Sequence, residues 1–395
     1  MIKNEVFNLC ICGYFYIHSK QHRPLFTKNR HLPKLKYFCK NLITMNDSNS
    51  KLTPLSELGE FGLIDRLTSN IKISNSSTLL GIGDDAAVIK PEKDMLTLVS
   101  KDLLLEGVHF DMMYTPLKHL GYKTAIVNFS DIAAMNGKPK QLLVGIGVGA
   151  KFSVEAIEEI YVGIKKACEV YGVDFIGGDT TSSASGLVIS ATIIGEVEKD
   201  KIVYRKGAKP NDLLCVSGDL GGAYMGLLIL EREKKAFEAD PNIQPELSEH
   251  DYLLQRQLKP EARIDIVDLL AKNDIFPTSM IDVSDGLASD VMHLCKASNI
   301  GCVISEEKIP IDQTTFDLAK EEFNIVPSVA ALNGGEDYEL LFTIKQSDYE
   351  KIKNIEEVSV IGYMTDASEG ERLVTNDNTS IELKAQGWDA LKRKL

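Results

Sequence analysis

Apolar runs of strand length alternate with helical stripes along both halves of this 395-residue chain. A chain patterned this way must cover its sheets with helices, which restricts it to layered α/β architectures. The clearest helix is 153–171, where Ile157, Ile160, Tyr161, Ile164, Cys168 and Tyr171 recur at spacings of three and four. Ser153 caps its start and Gly172 its end. Residues 116–135 read as a second helix, and 78–90, 95–101, 140–149, 173–177 and 186–198 as strands. A polar, turn-rich stretch over 196–212 precedes a new apolar strand at 213–217. Beyond it, helices are expected at 220–232, across 249–272, and at 286–298, 313–323 and 347–354. Strands are expected at 278–283, 300–305, 338–345 and 357–363, and 233–250 reads as a mobile surface insertion. The expected fold is α/β (α+β) in two domains, 45–197 and 198–395, each a mixed sheet with helices packed on it.

Residues 1–44 stand apart. They hold eight basic residues and one acid, Glu5, which leaves 36 basic against 56 acidic residues in the remainder. Cys10, Cys12 and Cys39 lie here with His18, His22 and His31, but without a CxxC pair. A secretory signal fits poorly, because the apolar part is short and no small-residue cleavage site follows. The segment is read as an upstream extension, with Met45 as the effective first residue. No apolar run approaches the ~20 residues of a spanning helix. A net charge of −13 argues against nucleic-acid binding driven by phosphate contacts. It leaves room for nucleotides held through Mg²⁺. Cys168, Cys215, Cys295 and Cys302 show no framework spacing and fit a reducing cytoplasm.

Four segments set glycine beside acid: Gly81–Asp85, Gly177–Thr181, Asp282–Gly286 and Gly334–Tyr338. Asp102 and Asp131 add acids within apolar elements. Glycine lets a backbone turn tightly and approach phosphate, and carboxylates are the hard oxygen ligands Mg²⁺ prefers. Any one GD pair is more often a plain turn. Together, converging carboxylates would repel one another unless cations lay between them. No Walker A motif or protein-kinase signature set is present, so ATP would be held through acids and metal rather than by a phosphate-binding lysine.

Taken in order, GIGDDAAV (81–88), DLLLEGVHF (102–110), VNFSDIAAMNGKP (127–139), GGDTT (177–181), YRKGAKPND (204–212), LKPEARI (258–264), IDVSDGLASD (281–290) and NGGEDYELLF (333–342) resemble the thiamine-monophosphate kinases. That family shares a superfamily with phosphoribosylformylglycinamidine cyclo-ligase, selenide water dikinase and a hydrogenase-maturation protein. The resemblance implies a cytoplasmic homodimer that uses ATP and several Mg²⁺ ions to phosphorylate thiamine monophosphate, the last step of thiamine diphosphate biosynthesis. It also implies the roles of individual residues. Asp85, Ser100, Asp102, Asp131, Asp179, Asp282 and Asp285 would be Mg²⁺ ligands, with Asp131 and Asp282 central to transfer and no general base. Gly178, Asp179, Arg205 and Ser284 would contact ATP, and Tyr161 would line its pocket. His109, Glu336 and Trp388 would contact thiamine monophosphate. Lys101 stands where the family often has Thr, so only its backbone carbonyl is left to meet metal.

Plainer readings exist for several of these. His109 alone reads as a satisfied buried histidine, Trp388 as a core anchor, Arg205 as a solvated turn arginine, and the Tyr161–Tyr171 stripe as core. Asp84 reads as an N-cap or a group behind the ligands, and Asp290 as a solvent-facing helix residue. Two rival functions stay open. One is another ATP-using enzyme of the superfamily, of cyclo-ligase type. The other is a non-catalytic Mg–nucleotide sensor, for which Lys101 is the only hint.

Overall fold

The computed structural model describes residues 52–82 and 87–385. The expectations at Asp84, Asp85, Trp388 and residues 1–44 lie outside the described residues. The first half runs α1 (Leu55–Thr68), β1 (Thr78–Leu80), β2 (Val88–Ile89), β3 (Met95–Leu105), α2 (Leu117–Ala134), β4 (Lys138–Val148), α3 (Val154–Tyr171), β5 (Asp174–Ser182) and β6 (Val188–Glu198). The second half continues with β7 (Leu213–Ser217), α4 (Gly222–Ala239), α5 (Asp251–Leu258), α6 (Ile264–Lys272), β8 (Ser279–Asp282), α7 (Leu287–Ser298) and β9 (Gly301–Ser305). It ends with α8 (Gln313–Glu321), α9 (Pro327–Asn333), β10 (Leu340–Ile344), α10 (Tyr349–Ile352), β11 (Val358–Thr365), β12 (Glu371–Val374) and β13 (Ser380–Glu382).

The first half builds a four-stranded sheet in the order β3-β6-β4-β5, antiparallel except for the β4/β5 pair. Strand alternation sorts its two faces. Ile189, Ala191 and Ile193 of β6 are buried in the same core as α2 and α3. Val99 and Leu103 of β3 point the other way and are 67% and 50% exposed. Helix α3 is capped as expected: Ser153 Oγ accepts the Ala156 N–H at 3.3 Å, and Gly172 closes the helix at φ 64°. The two helices touch through glycine, since a Cβ on Gly163 would lie 1.9 Å from the Lys118 carbonyl oxygen.

The second half builds a seven-stranded sheet in the order β13-β12-β9-β11-β7-β10-β8, in which only β9 and β12 pair in parallel. Its central strands are covered on both faces. Leu214 and Val216 of β7 share a core with Leu287 and Val291 of α7, and the intervening Cys215 shares one with Ile266 and Leu270 of α6. Each half is thus a mixed sheet under helices, the expected α/β class.

Helix α2 joins the two halves. Leu120, Ile126 and Phe129 belong to the first core, while Ala133 and Ala134 belong to the core of α6 and β10. A helix buried on nearly every side carries its polar residues for a reason, because each must find a partner.

Three expectations need correction. GGDTT is no turn: Gly177–Thr181 lies inside β5, where a Cβ on Gly178 would sit 1.9 Å from the Val144 carbonyl oxygen. Residues 233–239 are not part of an irregular insertion, because α4 continues to Ala239. Asp290 does not face solvent: it is 1% exposed and accepts the Ser284 and Asp285 N–H groups, both at 3.1 Å. The first turn of α7 leaves backbone donors unpaired, and an acid there satisfies those of the loop that enters it.

Candidate functional site

Three carboxylates meet where α2 crosses from one half to the other. Asp102 stands mid-strand on β3, Asp131 on the last turns of α2, and Asp282 at the end of β8. Ser100 and Asp102 lie on the helix-facing side of β3, because their partners Ile193 and Ala191 are buried. Ser100 Oγ donates to Asp131 Oδ2 at 2.5 Å, and Ser130 Oγ donates to Asp282 Oδ2 at 2.7 Å. Adjacent residues of one helix therefore bond to both halves, Asp131 to Ser100 on β3 and Ser130 to Asp282 on β8.

The electrostatics follow from the convergence. Burial and the charge of Asp131 push Asp102 up to about 6. Burial raises Asp131 as well, against the Ser100 hydrogen bond and the charge of Arg205. Burial and Asp131 push Asp282 up to about 7, and Arg205 acts against this too. Arg205 is exposed, beside the two acids that its charge favours.

Two glycine loops close over this cluster. Glu336 and Tyr338 donate their N–H groups to the Ser284 and Val283 carbonyls at 2.9 and 2.8 Å, and Val283 donates to Glu339 O at 2.8 Å. A side chain on Gly335 would put its Cβ 2.5 Å from the Ser284 carbonyl oxygen, so the approach needs glycine. Glu336 and Tyr338 hold φ of 71° and 53°, a left-handed conformation uncommon for such residues. Asp285 adjoins Asp290 and His293, whose ligand atoms all lie within 4.8 Å of one another. Burial, with Asp282 and Asp285 nearby, pushes Asp290 up to about 8.

A second cluster lies beside the first. Lys123 Nζ pairs with Glu336 Oε2 at 2.9 Å, and Gln257 Nε2 donates to the same oxygen at 2.8 Å. His109 Nδ1 accepts the Leu105 N–H at 3.1 Å. Burial lowers the His109 pKa, Glu336 raises it and Lys123 lowers it. The ring is therefore neutral, with its proton on Nε2. Tyr338 bridges the clusters. It is buried, and Glu336, Asp102, Asp282 and Asp131 all raise its hydroxyl pKa. The loop that carries His109 is pinned to α4 by Lys234 on Asp111 at 2.6 Å and by Tyr114 on Glu231 at 2.8 Å.

Among the expected residues, Ser100, Asp102, Asp131, Asp282, Ser284, Asp285 and Arg205 gather around one centre, with His109 and Glu336 next to it. Asp179 does not join them. It sits on β5, at the opposite edge of the sheet from β3, exposed, and its carboxylate accepts the Thr180 N–H at 2.9 Å. Tyr161 is buried in the first core, edge-on to Phe175, with its hydroxyl on Thr180. Lys101 points to the outer face of the sheet, where Nζ donates to Ser190 Oγ at 2.5 Å. Lys123 and Gln257 escaped the sequence reading, and Ser130 and Tyr338 stood in its motifs without a role. The signal for Lys123 was a lysine inside the apolar helical run GYKTAIVNF.

The donor set suits a hard divalent cation. Carboxylate oxygens dominate it, and burial together with mutual repulsion opposes their ionisation, a cost that a cation among them removes. The surroundings also suit a polyanion bound through such cations, with Arg205 as its direct partner.

Known proteins resemble the chain over most of its length. Residues 83–197 match the family described as AIR synthase related protein, N-terminal domain. The chain is 36% identical over 341 residues to the thiamine-monophosphate kinase of Bacillus subtilis (strain 168), spanning 85% of this chain and all of that protein. The solved thiamine-monophosphate kinase of Stenotrophomonas maltophilia K279a superposes with a TM-score of 0.69 at 30% identity, covering 83% of this chain and 98% of that one. AaThiL complexed with AMPPCP and TMP superposes with a TM-score of 0.65 at 32% identity, covering 87% and 99%.

Proposed function

The chain belongs to the thiamine-monophosphate kinase family, and from that membership we propose that it moves the γ-phosphoryl group of ATP onto the phosphate of thiamine monophosphate, giving thiamine diphosphate and ADP. The observation that carries this reading is the meeting of Asp102, Asp131 and Asp282 from three elements, with Arg205 beside them. The acceptor is already an anionic oxygen, so no general base is required, and none is assigned. What the reaction needs is alignment of two polyanions.

The chain's residues divide that work. Asp102, Asp131, Asp282 and Asp285, with Ser100, would hold Mg²⁺, which neutralises phosphate charge when bound. Arg205 and Ser284 would meet the nucleotide phosphates. His109 and Glu336 would take the acceptor. The pairing of the 281–286 and 333–340 segments fixes Asp282, Ser284 and Glu336 relative to each other.

The homodimer also belongs to this reading. Val99, Leu103 and Leu105 expose apolar surface on the outer face of the four-stranded sheet. Such a face is explained by a second copy seated on it. Asp179 and Gly178 lie at the far edge of that sheet and are assigned to a nucleotide site completed near the interface. In this division, 45–197 is the nucleotide, metal and dimerisation domain and 198–395 closes over substrate. Among the described residues no helix is long and apolar enough to cross a membrane, and Cys168, Cys215, Cys295 and Cys302 are free and buried, which supports a cytoplasmic place. The sensor alternative loses its only hint, because Lys101 turns its side chain away from the acids.

The test is direct. Purified protein with Mg·ATP and thiamine monophosphate is expected to yield thiamine diphosphate by chromatography, and EDTA is expected to stop it. Folded, ATP-binding protein that yields no product would overturn the proposal and favour the cyclo-ligase or sensor readings.

A further inference from the structure

Lys123 is 4% exposed, and both its polar partners belong to the other half of the chain: it donates to the Gln257 carbonyl at 3.0 Å and forms an ion pair with Glu336 Oε2 at 2.9 Å. A buried ammonium is retained only where its partners compensate its lost hydration. Gln257 Nε2 donates to that same Oε2 at 2.8 Å. A hydrogen bond and an ion pair on one oxygen fix the rotation of the carboxylate. Both contacts fall on Oε2, and Oε1 accepts no hydrogen bond among the described residues. Glu336 is therefore set to offer one oxygen as an acceptor.

The partner of that oxygen follows from chemistry. Thiamine monophosphate carries an anionic phosphate, a thiazolium with no N–H, and one amine, on its pyrimidine. A carboxylate repels the phosphate, so the amine is the hydrogen-bond donor it can read. His109 lies within electrostatic reach of Glu336 and offers Nε2–H as a donor. An acceptor next to a donor complements the edge of an aminopyrimidine, whose amine sits beside a ring nitrogen.

We propose that Lys123 and Gln257 are positioning residues that aim Glu336 Oε1 at the pyrimidine amine of the acceptor, making this cluster the specificity site for the ring. The proposal rests on the kinase reading above. It accounts for a lysine buried in the apolar helix α2 and for an ammonium and an amide converging on one carboxylate oxygen.

The probe is deaminothiamine monophosphate, in which hydrogen replaces the pyrimidine amine. KM for it and for thiamine monophosphate is measured in the full-length wild type, Lys123→Met and Gln257→Leu, with KM for ATP alongside. Hydrogen bonds to charged groups set the expectation of a wild-type KM ratio of roughly tenfold or more in favour of the amine. In either variant the ratio is expected to fall to about threefold or less while KM for ATP stays within about twofold, a split that general loosening of the fold does not produce. Should Lys123→Met fail to fold, Gln257→Leu decides, because it removes the hydrogen bond on Oε2 and leaves the ion pair in place. A wild type indifferent to the amine overturns the proposal, as does an unchanged ratio in a folded variant. A wild type that makes no thiamine diphosphate overturns the kinase reading itself, an outcome distinguishable from both.

Discussion

Ser130 donates its hydroxyl to Asp282 Oδ2 at 2.7 Å, joining helix α2 of the first half to the end of β8 in the second. The next residue, Asp131, accepts from Ser100 on β3. One turn of helix thus sets the spacing between acids that come from both halves.

Asp131→Asn is expected to separate activity from stability. The amide still accepts from Ser100 but brings no charge to a hard cation, so thiamine diphosphate formation should fall by ~100-fold or more. Without metal, the substitution removes the charge that raises both Asp102 and Asp282. The metal-free variant should therefore unfold at a temperature equal to or above that of the wild type. Thermal unfolding with EDTA, beside turnover with Mg²⁺, checks both halves, and a variant that is both inactive and markedly less stable contradicts the account.

Asp174 carries a pH signature of a different sign. It accepts from Ser74 N–H at 2.7 Å, Asn75 N–H at 3.0 Å and Thr78 Oγ1 at 2.7 Å, tying down the segment that leads to the Gly81 motif. Burial pushes its pKa up, but these hydrogen bonds outweigh burial and leave it lowered. A carboxylate with a depressed folded pKa gives its stability above the unfolded value, about 3.9, and loses it as pH falls through the folded value. Asp174→Asn should cost about 1–2 kcal/mol at pH 7. The gap to wild type should narrow below about pH 4, where the carboxyl of the unfolded chain begins to protonate while the folded one is still ionised. Urea unfolding at both pH values checks it, and a gap that widens in acid would contradict the assignment.

How much of this was legible in the sequence depended on what each residue needed in order to be seen. Asp131 and Asp282 stood out because acids inside apolar runs are rare without a purpose. The helix of Ser153–Gly172 was legible because cap and stripe are local signals. Asp179 was not, since its face depends on pairing with Gly145 across β4, and no local pattern fixes a register. GGDTT looked like a turn because glycine serves equally where another backbone comes close, as the Val144 carbonyl does at Gly178. Asp290 misled for a related reason: helical spacing put it on an outer face, but its side chain folds back onto the loop before it. Lys123 and Gln257 became a pair only through Glu336, 213 and 79 residues away along the chain.

The exposed outer face of the four-stranded sheet yields an oligomer prediction. Leu103→Asp or Val99→Asp should shift sedimentation from dimer to monomer, because each places a charge where apolar surface would be buried between copies. Far-UV circular dichroism should stay unchanged, as both side chains already face solvent within one copy. A wild type that sediments as a monomer would remove the dimer from the functional reading while leaving the acid cluster intact.

The latch on the His109 loop should be felt by one substrate only. Lys234 pairs with Asp111 at 2.6 Å with both side chains about a quarter exposed, and Tyr114 donates to Glu231 at 2.8 Å. These contacts hold residues 111–114 against α4, and His109 stands just before them. Partly exposed ion pairs contribute roughly 0.2–1 kcal/mol, so the loop is steadied rather than locked. Lys234→Ala should therefore raise KM for thiamine monophosphate by no more than about fivefold and leave KM for ATP in place. High salt should produce part of the same rise in the wild type and little in the variant, because screening weakens the same pair. Equal sensitivity of both proteins to salt would mean that the pair does not hold the loop.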